Sequence, residues 1–268
     1  MNVSKFHKKL EDNGFVIIKN FFPKELCREI KNFSKKLKPK VNMPFSNITW
    51  GYGNLTNVGP LKKINSNERL NNIIRSILKS DYVFNHTMIA NKSKWIGPDV
   101  EFHQEIFNVN TFAPGADPKK DWKKILQIYI AIDNQKEASG SLRIIPSSHK
   151  LGQLKHEDCV NSFLNHKRRV ITKDLSMAYE KYGILNMSLK SGDLLIFNTR
   201  LVHGSPSNAS NDDRMAIVSQ VRSSKIKLNK KIFKKETNYR RKVVENYLLK
   251  KISILKKKNN YSDFRKEK

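Results

Sequence analysis

The sequence predicts a mainly β protein with flanking helices, closed as a barrel or sandwich, and three observations carry that reading. Short apolar runs separated by turn residues recur from residue 82 onward, as they do in sandwiches and barrels. Helical periodicity is concentrated in the first eighty residues and in a few insertions. A chain of 268 residues is the length at which such folds still form one domain.

Taken in order, residues 4–12 place Phe6 and Leu10 four apart, a short helix stopped by Asn13-Gly14. Phe15-Val16-Ile17-Ile18 reads as a strand. Pro23 suits a first helical turn, and Leu26, Ile30 and Phe33 line one face of the helix beyond it. Residues 38–66 read as irregular, with Pro44, Trp50-Gly51-Tyr52-Gly53 and Gly59-Pro60. A helix over 67–79 would bury Leu70, Ile73, Ile74 and Leu78. Strands are expected at 82–91, 99–109, 124–133, 140–146, 184–189, 192–198 and 214–222. Insertions at 111–122 and 150–183 interrupt them, the second with a helix near 172–182.

Residues 1–224 thus form one domain, and 225–268 a basic C-terminal helical extension. That extension holds seventeen lysines and arginines against four acids, with Val244, Leu248, Ile252 and Leu255 as a helical stripe. The formal charge of the chain is +28, carried by 40 Lys and 12 Arg. Nucleic-acid readers lean on Arg forks and aromatic stacking, so a lysine excess spread along the chain reads as a solvated surface. No specific nucleic-acid binding is expected. Weak attachment to an anionic membrane surface through the basic tail is the one further partner the charge suggests. No run approaches the ~18–20 apolar residues of a membrane span. Two cysteines, Cys27 and Cys159, make no disulfide framework, which points to a reducing cytoplasm.

The chemistry-bearing residues lie a hundred positions apart. In Phe102-His103-Gln104-Glu105 a strand would turn His103 and Glu105 to one face. Downstream, Gly192-Asp193 opens an apolar strand read as ending at His203, followed by Gly204-Ser205. Two neutral imidazoles and a carboxylate are the donor set of non-haem iron(II) oxygenases. Arg214 opens another apolar strand with no acid behind it, so a ligand carboxylate is its natural partner. Lys92 and Lys94 could also reach a carboxylate, but lysines are too common here to signal. His149, in a Pro-Ser-Ser-His turn, reads as structural, and Asp193 and Asn208 as turn formers.

These pieces together resemble the phytanoyl-CoA dioxygenase family. The matching segments are Asn13-Gly14-Phe15-Val16-Ile17-Ile18, Phe102-His103-Gln104-Glu105, Leu126-Gln127-Ile128-Tyr129-Ile130-Ala131-Ile132-Asp133 and Gly140-Ser141-Leu142-Arg143-Ile144-Ile145-Pro146-Ser147-Ser148-His149. Gly192-Asp193, His203-Gly204-Ser205 and Arg214 follow in the same order. The resemblance implies a double-stranded β-helix (a jelly roll, cupin-like barrel) and a dioxygenase using iron(II), 2-oxoglutarate and O2 to hydroxylate an unactivated C–H of a small molecule. It implies metal ligation by His103, Glu105 and His203, and cosubstrate contacts from Arg214, Ser205 and Gln127. The family usually has Asp where Glu105 stands, which puts one more rotatable bond in the ligand. Trp50, Trp122 and Arg143 are the expected substrate contacts, and the substrate is expected to be polar or anionic. Desaturation, epimerisation or cyclisation on the same fold is the alternative activity. A non-catalytic basic binding protein on a degenerate barrel is the alternative from another class.

Overall fold

A computed structural model describes residues 3–37, 54–95, 97, 99–105, 113, 115–159, 168–229 and 231. Trp50 and the apolar stripe Val244–Leu255 lie outside the described residues.

Two sheets face each other. The larger has the order β1-β9-β4-β11-β2, from β1 (Phe15–Ile18), β9 (Leu194–Asn198), β4 (Ile125–Ala131), β11 (Arg214–Ser223) and β2 (Tyr82–Lys92). The smaller has the order β3-β10-β5-β8, from β3 (Val100–His103), β10 (His203–Ser205), β5 (Arg143–Ile144) and β8 (Leu185–Asn186). Non-consecutive neighbours throughout are the mark of a jelly roll, whose strands alternate between sheets. This is the double-stranded β-helix expected of the sequence.

The larger sheet is buried on both faces. Outward residues Val16, Ile18, Leu126, Ile128, Ile130, Leu194, Ile196 and Ile217 pack on α1 (Val3–Asn13), α2 (Lys24–Lys36), α3 (Leu61–Asn65) and α4 (Glu68–Leu78). Inward residues Tyr129, Ala131, Leu195, Phe197 and Ala216 meet Leu142 and Ile144 of the smaller sheet. Strand β4 is therefore buried at every position and shows no alternation. Helix α4 docks through Leu70, Ile73, Ile74 and Leu78, each contributing ~1.5–3 kcal/mol by leaving water. Asn67 caps it by accepting the Leu70 N–H at 2.9 Å.

The C-terminus of α1 is closed by a distant loop. The Ser147 backbone N–H donates to Asn13 O, the Ser147 hydroxyl to Asp12 O, and His149 Nε2 to Glu11 O. Gly14 turns the chain at φ +82°, and a Cβ there would lie 2.5 Å from His149 Nδ1. Burial pushes the His149 imidazole below its ordinary pKa, which keeps it neutral in this contact. At the opposite end of the sheet, Gly192 (φ +87°) passes so close to the Phe22 carbonyl that a Cβ would overlap it. The adjacent Asp193 carboxylate accepts the Asn20 and Lys190 N–H groups and the Lys19 ammonium. Burial alone would raise its pKa, but these donors hold it below the usual carboxylate range.

Several boundaries differ from the sequence reading. The run from Leu194 does not continue as one strand to His203. It ends at Asn198, turns through a Leu201 N–H to Asn198 O bond, and re-enters as β10 in the other sheet. Residues 54–66 contain α3, begun by Pro60 and closing over Leu61 and Ile64. The 150–183 insertion carries the expected helix, α5 (Thr172–Tyr182), and also a two-stranded ribbon, β6 (His156–Asp158) with β7 (Arg168–Val170). The start of the C-terminal segment belongs to the barrel, since Ile226 packs on Ala113, Ala116 and Ile125.

Candidate metal centre

His103 is the last residue of β3 and His203 the first of β10, and the two are register partners. Their rings lie 4.3 Å apart and tilted by 52°, with Phe197 edge-on to His203 at 4.8 Å. Glu105 stands beyond the strand end, so strand alternation is not what aims it. Its carboxylate nevertheless returns to the same point, with Oε1 3.2 Å from His103 Nε2 and 3.8 Å from His203 Nε2. The three candidate ligand atoms lie within 4.8 Å of one another. Ligands in cis positions on a metal at ~2.1 Å stand ~3 Å apart, so a modest contraction closes this set on one ion.

Hydrogen bonding decides the tautomers. His103 Nδ1 lies 2.7 Å from Glu101 O, and His203 Nδ1 lies 2.9 Å from Leu201 O. A carbonyl only accepts, so both Nδ1 atoms carry protons and both Nε2 atoms are the ones turned toward Glu105. Burial, then the neighbouring His103, lowers the His203 pKa to about 3, which keeps its Nε2 free of a proton.

Gln104, between the two candidate ligands, is fully buried and points away from them. Its Nε2 donates to Gly152 O (2.9 Å) and Arg200 O (2.6 Å), and its Oε1 accepts the Leu154 N–H (2.8 Å). Its backbone N–H donates to His156 Nε2 at 3.1 Å. One side chain thus ties the ends of β3 to the loops before β6 and before β10.

The other expected site residues fall into different places. Arg214 is buried on the inner face of β11, with Nε and Nη2 donating to Gly140 O. Ser205 is buried at the end of β10, and its Oγ bonds Lys92 Nζ at 2.8 Å. Gln127 is not beside them: its register partner on β11 is Gln220, six residues and ~20 Å of strand from Arg214. On its other side Gln127 pairs with Phe197, the residue against His203. The Nε2 atoms of Gln127 and Gln220 are buried without a partner among the described residues.

Arg143 and Trp122 depart from expectation. Leu142 and Ile144 take the inward positions, so Arg143 points outward, where Glu137 (2.8 Å) and Asn186 (3.0 Å) occupy its guanidinium. Trp122 precedes β4 and stacks under the Arg200 guanidinium at 4.5 Å, beside the Ala113–Ala116–Ile125 cluster. Both therefore serve the outer surface of the barrel. Lys92, too ordinary a residue type to stand out in this sequence, proves to be among the largest fully buried side chains.

Known proteins resemble this chain in sequence and in fold. Residues 10–216 match the family model described as phytanoyl-CoA dioxygenase (PhyH). The ectoine dioxygenases of Bordetella parapertussis and Bordetella bronchiseptica are each 25% identical over 219 residues, covering 75% of this chain and 68% of theirs. Among solved structures, EctD from S. alaskensis with 2-oxoglutarate and 5-hydroxyectoine superposes with a TM-score of 0.67 at 15% identity, over 84% of this chain and 78% of that one. The non-heme alpha ketoglutarate dependent epimerase SnoN from nogalamycin biosynthesis gives 0.61 at 11% identity, over 83% of each chain. With the family model spanning most of its length, the chain belongs to the phytanoyl-CoA dioxygenase family.

Proposed function

We propose that the chain is an iron(II)- and 2-oxoglutarate-dependent dioxygenase that hydroxylates an unactivated C–H of a small polar metabolite, releasing succinate and CO2. The observation that carries it is the convergence of two Nε2 atoms and one carboxylate oxygen within 4.8 Å inside a barrel of this family. His103, Glu105 and His203 would hold the metal, whose bound form supplies the electrons and the O2 chemistry that side chains lack.

The remaining work falls to the chain itself. The carbonyls of Glu101 and Leu201 orient the imidazoles, and Gln104 holds both strand ends in place. Phe197, Leu195 and Ala216 make the interior dry, which strengthens every charge interaction inside it. Arg214 takes the carboxylate of 2-oxoglutarate farthest from the metal, a role a planar guanidinium suits. Gln127 and Gln220, at the level of Phe197, offer amide N–H groups to acceptor oxygens of the substrate. The substrate is accordingly small and oxygen-bearing. Among the described residues no helix is long and apolar enough to cross a membrane.

The test is succinate formation from 2-oxoglutarate by the purified chain, with and without added iron(II). Dependence on iron(II) and loss in His103→Ala are expected, and output indifferent to either would sink the assignment. With the true substrate, a product heavier by one oxygen marks hydroxylation, whereas an unchanged or lighter mass marks the epimerising or desaturating alternative.

A further inference from the structure

Lys92 and Arg214 are direct register partners on β2 and β11, so their side chains leave the same, inward face of the sheet. Both are buried, at 2% and 3% exposure. Among the described residues, the carboxylate that would normally neutralise such a pair is missing from their contacts. Arg214 donates to Gly140 O, and Lys92 Nζ meets Ser205 Oγ (2.8 Å), Ser205 O (3.4 Å) and Pro206 O, all neutral. The pocket is built around the lysine stem: a Cβ on Gly97 would lie 2.6 Å from Lys92 Cβ, and one on Gly140 3.0 Å from its Cδ. Asn208 Nδ2 pins the Lys92 carbonyl at 2.9 Å.

Two like charges side by side in a dry interior are unfavourable, and a guanidinium does not give up its proton. The amine can. Burial first, then Arg214, bring the Lys92 pKa from 10.5 down to about 6, with Asp99 opposing weakly from an exposed position. Among the described residues the charged or titratable groups around Lys92 are few. Arg214 faces it from β11, Asp99 from the segment before β3, and the 139–141 and 205–208 segments bring only serines, glycine, proline and asparagine. Tyr129 faces Arg214 from β4, and burial raises its pKa, so it stays neutral.

We propose that Lys92 is a proton-accepting partner of Arg214: when the far carboxylate of 2-oxoglutarate enters beside Arg214, Lys92 becomes an ammonium and turns the Ser205 hydroxyl toward that carboxylate. This rests on the cosubstrate reading above and deepens it. As a neutral amine, Lys92 donates its two N–H groups to the Ser205 and Pro206 carbonyls, and its lone pair accepts the Ser205 O–H. As an ammonium it donates three, to both carbonyls and to Ser205 Oγ, so the Ser205 proton must point elsewhere. One proton moves from solvent to Nζ, and the incoming anion gains a second cation and a hydroxyl donor together. Lys92 is thus a positioning residue acting through Ser205, and cosubstrate binding consumes a proton.

The experiment is anaerobic titration of the iron(II)-loaded protein with 2-oxoglutarate by calorimetry, in two buffers of different ionisation heat, from pH 5.5 to 8.5. Wild type is expected to take up close to one proton more than Lys92→Met at pH 8, the difference vanishing below about pH 6. Its dissociation constant should rise about tenfold per pH unit above that point. Lys92→Met, matched in length and apolar, should bind 2-oxoglutarate with an affinity flat in pH. Lys92→Arg keeps a permanent charge and should likewise lose the extra proton. Equal proton uptake in wild type and Lys92→Met overturns the role of Lys92. No metal-to-oxo-acid charge-transfer band in wild type, or unchanged affinity in Arg214→Met, overturns the cosubstrate reading itself.

Discussion

His103 and His203 face each other across the β3–β10 pair, and each gives its Nδ1 proton to the carbonyl two residues before it. Because the acceptors are backbone atoms, the tautomers survive side-chain changes nearby, and removal of either imidazole takes away one candidate ligand outright. His203→Ala and His103→Ala should each fall from stoichiometric to trace iron by elemental analysis while the far-ultraviolet dichroism of the barrel persists. Retained stoichiometric iron in either would exclude that histidine as a ligand.

Glu105 reaches the two Nε2 atoms from outside the strand, so its length sets the contact. Glu105→Asp withdraws the carboxylate by about one bond, and iron affinity should drop at least tenfold, in the range by which small misplacements weaken metal sites. Competition with a chelator measures this. Unchanged affinity would mean that the backbone at Glu105 adjusts freely.

Gln104→Ala strands the Leu154 N–H and the Gly152 and Arg200 carbonyls in the interior. A loss of about 3 kcal/mol in urea unfolding is expected, from ~1–3 kcal/mol per orphaned group with partial relaxation. Iron affinity should fall 10- to 100-fold, as it does when a ligand's support is removed. A stability loss with undiminished iron affinity would confine Gln104 to a folding role.

Gln127 and Arg214 stand at opposite ends of the inner face, and their variants should separate. Arg214→Met should raise the half-saturating 2-oxoglutarate concentration in substrate-free turnover roughly 100-fold, the scale of a lost buried charge contact. Gln127→Leu should leave it within about twofold, since its site is ~20 Å of strand away. A rise of equal size in both would place the cosubstrate elsewhere.

Asp193 ties the turn before β9 to the segment after β1, and its carboxyl pKa is depressed. A depressed acid contributes stability in full above its unfolded pKa of ~3.9, and loses it as pH falls through the lower folded value. Asp193→Asn should therefore be destabilised at pH 7, by ~1–3 kcal/mol, with the gap to wild type narrowing below about pH 4. Thermal melts across that range show it, and a gap constant with pH would remove the charge from the account.

Much of this fold was legible because burial patterns leave marks in residue type. Leu70, Ile73, Ile74 and Leu78 announce α4 by their spacing, and the apolar runs announce β1, β4 and β9. The break at 199–202 was hidden because Leu201 and Val202 are as apolar as the strand before them, both being buried in the crossover. The ribbon β6–β7 was hidden because its polar residues pair across an exposed edge, as Glu157 does with Arg169. At the site, His103 and His203 stood out as rare residues in apolar strands. Lys92 could not, since one buried lysine among forty looks like the others until its register against Arg214 is known. Trp122 and Arg143 misled for the converse reason: large, conspicuous side chains had been spent on the outer surface, under Arg200 and beside Glu137.

The joint between α1 and the 147–149 turn bears on how relatives of this chain are recognised. Gly14→Ala should cost about 3 kcal/mol, more than the ~1 kcal/mol of its left-handed backbone alone, because a methyl there strikes His149 Nδ1. In a His149→Ala background the backbone share and the 2.8 Å contact with Leu201 Cδ1 should remain while the His149 share is lost, and simple additivity in that double-mutant cycle would separate the two residues. Asn13-Gly14 and Pro146-Ser147-Ser148-His149, far apart in the chain, are thus two halves of one helix stop. They hold the fold together and say nothing of oxidation. A descendant that had abandoned iron could keep both halves intact, and only the residues around His103, His203 and Arg214 would betray the change of occupation.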